Sequence, residues 1–276
     1  MRIFRIGLMT IFAAFMLSAL AMVFSPQSWW LKSLTVETLK AWLRPVLGAW
    51  LRAPRQLQTP ALDRLLAQKG LRKGDEVFIR IFKRENVLEL WMRPRGATRF
   101  ILLKSWPICA WSGSLGPKLK EGDGQSPEGF YSVGLSSLNP NSRYHLSFNL
   151  GFPNAYDRAH GRTGSFLMVH GACVSVGCYA MTDAGIEEIY ALVEAALRNG
   201  QKRVPVHIFP FRMTAENMRR HANDRWIAFW RNLKEGHDLF EKTSMPPRVR
   251  VRAGRYVFAA GKAPPSKHAT SSGDTR

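Results

Sequence analysis

Three cysteines in 276 residues are too few for a dense disulfide scaffold, and an odd number leaves at least one thiol without an intramolecular partner. Acidic residues are scarce as well: 20 Asp+Glu stand against 40 Lys+Arg, a formal net charge of +20. That excess points to anionic surroundings, whether nucleic acid, anionic lipid or an acidic polymer, and says nothing about fold. No repeat period is visible, so the chain does not read as a solenoid array. The Gly/Pro-rich stretch from Ser112 to Gly134 neither joins a strand to a helix nor ends in Lys-Ser/Thr, so it is not a phosphate-cradling loop. What the chain does hold is apolar matter. With 46% hydrophobic and 11% aromatic residues it carries enough for a sizeable core, which excludes wholesale disorder.

Arg2 and Arg5 precede an uncharged apolar run from Ile6 to Phe24, and no further charge follows until Lys32. The run of 19 residues is longer than the usual signal-peptide core of about 7–15 and close to the roughly 20 that span a bilayer. Ser18-Ala19-Leu20-Ala21 also offers small residues at signal-peptidase spacing, and Trp29 and Trp30 suit a membrane interface. Residues 1–31 therefore read as a membrane anchor or a cleaved export signal, and either places the chain in the periplasm or cell envelope. There, anionic lipid or acidic wall polymer suits the charge, and nucleic acid becomes the last choice.

Residues 32–75, interrupted by Pro45, Pro54 and Pro60, read as a linker of short helices. From residue 76 the period changes to that of strands. Val77 to Lys83 and Val87 to Met92 predict a β-hairpin, with further strands at Phe100 to Lys104, Tyr144 to Asn149, Phe166 to His170 and Val204 to Phe209. A helix from Asp183 to Asn199 is capped by Thr182 or Asp183, with Gly200 just past its end. A second helix from about Thr214 to Glu235 stops at Gly236, and Arg248 to Ala259 reads as one strand of alternating basic and apolar residues. From about Pro264 the tail has the composition of a disordered segment. The fold class is mainly β with flanking helices (α+β), with a catalytic domain at 76–213 and a basic, helical C-terminal extension at 214–276.

The chemistry concentrates in Met168-Val169-His170-Gly171-Ala172-Cys173-Val174-Ser175-Val176-Gly177-Cys178-Tyr179. A strand delivers His170, a tight loop follows, and Cys178 lies just before a helix. A cysteine nucleophile works as thiolate, and a nearby His together with a helix N-terminus would stabilise it. Gly177 lets the backbone turn so that the amides of Cys178 and Tyr179 face a developing oxyanion. The rival readings are a buried structural thiol, a core histidine, and a metal set formed by His170, Cys173 and Cys178, whose spacing is not that of paired zinc knuckles. His145 and His160 are rivals for the base. His207, His221, His237 and His268 lack chemical partners in sequence and are expected on surfaces, and Glu187 and Glu188 on the solvent side of their helix. Cys109 and Cys173 either pair or remain two buried thiols.

At these residues the sequence resembles the L,D-transpeptidase (YkuD-type) catalytic domain family. His170-Gly171 matches its first element and Ser175-Val176-Gly177-Cys178 its second. The likeness extends to the YafK-like branch through Gly177 to Asp183, Pro127-Glu128-Gly129-Phe130-Tyr131, Asn149 to Asn154, Gly161 to Gly164 and Pro210 to Thr214. Val176 stands where the family usually has His, and Ala180 where it commonly has Arg or Asn. The resemblance implies a β-sandwich-like catalytic domain, a Cys178 nucleophile, a His170 base, and peptidoglycan stem peptides as substrate, with no cofactor and no metal. Gly171, Ser175, Gly177 and Tyr179 would shape the loop, the Gly171 carbonyl being a candidate to fix the imidazole tautomer. Arg143 and Arg162, with Tyr144 and His145, would contact substrate. The acyl-enzyme would pass to an amine, which cross-links, or to water, as in a hydrolase of stem or protein-tether bonds. A non-enzyme alternative is a basic, membrane-tethered module binding wall or lipid.

Overall fold

The computed structural model describes residues 60–261. The expectations for residues 1–31, for most of the 32–75 linker and for the tail from Pro264 lie outside them. Among the described residues no helix is long and apolar enough to cross a membrane.

α1 (Pro60–Gln68) opens on a proline, whose fixed φ and missing N–H suit the first helical position. The predicted hairpin forms as β1 (Glu76–Phe82) and β2 (Val87–Arg93), and β3 (Ile101–Pro107) lies beside β2. β4 (Gly129–Val133) and β9 (Val204–Phe209) complete a five-stranded sheet in the order β3-β2-β1-β9-β4, in which β1 and β9 run parallel. β5 (Leu138–Asn139), β6 (Ser147–Asn149), β7 (Met168–His170) and β8 (Tyr179–Ala180) form a second, four-stranded sheet in chain order. β6 and β7 are shorter than the apolar runs predict, because His145 and Phe166 adopt φ of 69° and 53° and left-handed residues cannot continue a strand.

β1 is buried on both faces. Val77, Ile79 and Ile81 join the core shared with the second sheet and with α3 (Asp183–Arg198), which supplies Ile186, Ile189, Leu192, Val193 and Ala196. The opposite face carries Phe78, Arg80 and Phe82. Phe78 packs with Phe240 and Phe82 joins Phe229, Trp230 and Leu233, all from α5 (Ile227–Thr243). Arg80 is held there by Glu89, its cross-strand partner at 2.8 Å, and by Glu241 of α5.

The second predicted helix is in fact two, α4 (Ala215–Arg220) and α5, separated by turns around Asn223 and Asp224. α2 (Ala155–Ala159) precedes β7. Gly236 is no stop. It sits buried within α5, where a Cβ would come within 2.5 Å of Phe258 and 2.7 Å of Phe130, so close packing, not termination, requires it. The single strand predicted at the C-terminus folds back as a hairpin, β10 (Arg248–Arg252) and β11 (Arg255–Ala259). Ala253 and Gly254 turn it with φ of 45° and 70°, the positive values a two-residue type I′ turn needs. The segment after residue 213 thus covers the second face of the central sheet.

Two tethers cross between elements. Cys109 and Cys173 form a disulfide over a sequence separation of 64, deciding between the two readings left open by the sequence. Lys83 and Glu128, both fully buried, form an ion pair at 3.1 Å. Nζ of Lys83 also donates to the carbonyls of Ser114 (2.8 Å), Ser126 (3.0 Å) and Gly116 (3.2 Å). Glu128 accepts from the Gly116 amide at 2.7 Å and from Trp230 Nε1 at 2.8 Å. One charge pair thereby organises the Gly/Pro-rich loop between β3 and β4.

Two outcomes are expected. Replacing both Cys109 and Cys173 by Ala lowers the unfolding free energy by about 4 kcal/mol from loop closure, measured by denaturant titration; an unchanged midpoint refutes the tether. Lys83→Met leaves a buried carboxylate uncompensated and costs about 3–5 kcal/mol, read as a fall in melting temperature larger than that of an exposed control such as Lys202→Met.

Candidate active site

β7 and β8 run parallel, with Val169 opposite Tyr179 and His170 opposite Ala180. Side chains alternate along a strand, so Cys178, one residue before β8, projects from the same face as His170. Its Sγ accepts the Met168 amide at 3.4 Å and faces the Phe166 carbonyl at 3.7 Å. Among the described residues Cys178 is the free cysteine.

His170 is 2% exposed. Its Nδ1 lies 2.6 Å from the Gly171 carbonyl, and a carbonyl only accepts, so Nδ1 carries the hydrogen and Nε2 of the neutral ring keeps its lone pair. The candidate role for the Gly171 carbonyl is realised. Burial pushes the His170 pKa down, opposed by that hydrogen bond. The thiol of Cys178 is pushed up by burial, opposed by the Met168 amide and by Lys118. The resting pair is therefore neutral imidazole and neutral thiol. The expected help from a helix N-terminus does not arise: β8 and Met181 separate Cys178 from the cap at Thr182.

The loop between them is held by many small contacts. Ala172 and Cys173 both have positive φ, 65° and 52°, conformations that persist only where surroundings enforce them. The enforcement comes from the Cys109–Cys173 disulfide, from the Ala172 amide to Asp183 Oδ1 (2.8 Å), and from the Cys173 amide to the Met181 carbonyl (3.3 Å). Gly171 leaves no room for a side chain, since a Cβ would meet Asp183 Oδ1 at 2.6 Å. Gly177 has φ 107° and donates its amide to Ser112 Oγ at 2.5 Å. Ser175 and Ser126 both donate to the Cys178 carbonyl, at 2.8 and 3.1 Å.

Tyr179 does not serve as an oxyanion donor. Ala180 exchanges hydrogen bonds with Cys109 and Ala110 on one side, so by alternation the Tyr179 amide points the other way, into the β7 ladder. Its side chain is buried and its hydroxyl donates to the Pro127 carbonyl at 2.7 Å. Of the expected substrate contacts, Tyr144 lies over His170 with ring centroids 4.8 Å apart, and Arg143 beside it is exposed. Arg162 is a correction: it is buried, bound to the buried Asp157 at 2.8 Å, and its guanidinium packs on Tyr156 and Phe229. His145 is turned to Glu187 at 2.7 Å, and His160 to the Gly254 carbonyl at 2.8 Å, so neither serves as the base. Cys173, spent in the disulfide, dissolves the His170/Cys173/Cys178 metal set.

Other expectations also change. His207 is buried among Phe78, Phe130 and Phe209, and desolvation takes its pKa down to about 3. His221 stacks on Phe211 and His237 packs edge-on to Phe209; both faces of the sheet are covered, which the sequence does not reveal. His268 lies outside the described residues. Glu187 and Glu188 are half-buried, the latter accepting from Lys104 and Trp106. Sequence reasoning missed Ser112, Ser126 and the buried Lys118, whose Nζ bonds Asp123 at 2.5 Å. They are ordinary loop residues, and it is the folding of the loop, held by the ion pair together with the Asp123 and Gln125 contacts, that brings them to Cys178.

Comparison with known proteins follows the same residues. A family model described as the L,D-transpeptidase catalytic domain, YkuD, matches residues 78–243. The Escherichia coli K12 protein YafK, whose name assigns it to the L,D-transpeptidases, is 54% identical over 186 residues, covering 67% of this chain and 75% of YafK. Among solved structures, the helical cell shape determining protein Pgp2 of Campylobacter jejuni is 22% identical, with a TM-score of 0.39 and coverage of 56% of either chain. Bd1075 of Bdellovibrio bacteriovorus is 19% identical, with a TM-score of 0.34 and coverage of 62% of this chain and 61% of its own. The family match takes in more than half of the sequence and every residue of the site built above, and the chain belongs to the L,D-transpeptidase catalytic domain family.

Proposed function

We propose that the protein is a cysteine-dependent acyltransferase of peptidoglycan stem peptides, cross-linking or remodelling murein in the cell envelope. The observation that carries this reading is the Nδ1–Gly171 bond of His170, which leaves Nε2 as a base on the face that bears Cys178. Cys178 Sγ attacks the stem carbonyl that follows the L-centre of a diamino acid, while Nε2 takes the thiol proton. Collapse of the tetrahedral intermediate breaks the C–N bond, and His170 returns the proton to the departing amine. The thioester then passes its acyl group to an acceptor amine and Cys178 is regenerated. Ser112 engages the Gly177 amide and Tyr179 faces its ladder, so the amide of Cys178 itself is the backbone donor for the oxyanion. The exposed Arg143, next to the Tyr144 that covers His170, is placed for a bidentate contact with a stem carboxylate. An envelope location is supported by the apolar run Ile6 to Phe24 and by the disulfide, a bond that persists in oxidising compartments.

The decisive experiment incubates the protein with tetrapeptide muropeptides and follows products by mass spectrometry. Wild type releases the terminal residue and forms dimers; Cys178→Ala forms neither, and His170→Ala is slower by about 10²–10⁴. Products unchanged in Cys178→Ala refute the reading, and release without dimers marks a hydrolase. The pH dependence has a definite sign. His170 acts neutral, and its pKa lies below the ordinary 6.5, so the acid limb of kcat/KM falls below that of a free imidazole. Cys178 is a thiol at rest, with its pKa above the ordinary 9.0, so alkylation by iodoacetamide accelerates only at alkaline pH. A thiolate already formed at pH 7 contradicts this neutral pair.

A further inference from the structure

The hairpin β10–β11 presents two unlike faces. Val249 and Val251 point inward with Tyr256 and Phe258, packing on the α5 side of the core. Asn232 of α5 fastens it, accepting the Tyr256 amide at 2.9 Å and donating to the Tyr256 carbonyl at 3.0 Å. The hairpin is thus a fixed ledge. Its outward face carries Arg248, Arg250 and Arg252, all exposed, opposite Ala259, Val257 and Arg255 respectively. Alternate residues on a strand lie about 7 Å apart, so the arginines form a flat row. Arg255 reaches Glu235 at 3.1 Å. Among the described residues Arg248, Arg250 and Arg252 form no salt bridge, and from Ser244 to Gly261 the sequence holds no acidic residue.

Two features mark this face as a surface for an external partner. Arg252 stands directly opposite Arg255, whose charge Glu235 already meets, so Arg248, Arg250 and Arg252 are the row whose charges an external anion would meet. Between the arginines lies a shallow depression of about 260 Å³ lined by Val257, Phe258 and Ala259 as well as by Arg248, Arg250 and Arg252, and Val257 is 43% exposed at its centre. A row of guanidiniums around an apolar floor matches a layer of anionic headgroups above acyl chains, since arginine stems lie along apolar surface while their charges reach the phosphates. A purely polar polymer would leave Val257 without a partner.

We propose that the outward face of the β10–β11 hairpin docks the domain on a bilayer of anionic phospholipid. Arg248, Arg250 and Arg252 contact headgroup phosphates and Val257 enters the interface. The apolar run Ile6 to Phe24 in the same chain, read above as an anchor or a cleaved export signal, would bring the chain to the same membrane.

The test uses the full chain, so that the apolar run contributes equally throughout, and reads partitioning onto phosphatidylcholine vesicles with and without 30% phosphatidylglycerol (roughly the anionic fraction that makes the surface potential matter). Wild type should bind the anionic vesicles more strongly, the preference weakening with salt. The triple variant Arg248→Gln/Arg250→Gln/Arg252→Gln should lose most of it, roughly two orders of magnitude for three surface arginines, with no fall in melting temperature. An equal charge loss elsewhere, Arg72→Gln/Arg99→Gln/Lys202→Gln, all exposed, should leave most of the preference in place. The proposal is overturned if the hairpin variant keeps the preference or if both triple variants lose it equally. It is also overturned if a single-stranded oligonucleotide or purified sacculi displace the protein from anionic vesicles at matched charge, which would make the face a polymer site.

Discussion

The buried pair of Lys83 and Glu128 is the constraint on which the catalytic end of the molecule rests. Taking two charges out of water is expensive, and such a pair survives only when its remaining donors and acceptors are met. Here they are met by backbone: three loop carbonyls surround the ammonium, and an amide and an indole N–H surround the carboxylate. The loop cannot leave without stranding a charge. Because it stays, Ser112 and Ser126 reach the Gly177 amide and the Cys178 carbonyl, and the backbone of the proposed nucleophile is fixed by residues more than fifty positions away.

The chemistry that follows is that of a neutral pair. Enclosure raises the thiol and lowers the imidazole by the same cause, removal of water from the charged form. In the reaction proposed above, such a pair would stay neutral until a substrate carbonyl is in place, when proton transfer to Nε2 and attack would occur together. The Gly171 carbonyl holds the Nδ1 hydrogen of His170 in the place that a carboxylate takes in other triads. Val176, where the family usually has histidine, is 86% exposed, so that position takes no part in holding the base.

Several elements were legible because their signals are local. Thr182 caps α3 through its own hydroxyl, 3.1 Å from the Gly185 amide, and β9 spans the residues its β-branched pattern marks. The juxtaposition of His170 and Cys178 on one face was legible because a short loop joins them. The misreadings share a different cause. Gly236 read as a helix stop because glycine ends helices more often than it admits an aromatic ring. Arg162 read as a substrate ligand because nothing in sequence shows that Asp157 lies beneath it. His207 read as a surface residue because one-dimensional alternation does not show that helix α5 covers the second face of the sheet.

The sequence by itself determined the first hairpin, β9, the capped helix and the closeness of His170 to Cys178, since these depend on residues within a few positions of one another. Tertiary structure alone decided which cysteines pair, which arginines remain free, and how the catalytic loop is braced. Those outcomes turn on burial and on partners far along the chain. A charge or thiol takes its role from what the fold places within a few ångströms of it, and that distance is not written in its neighbours.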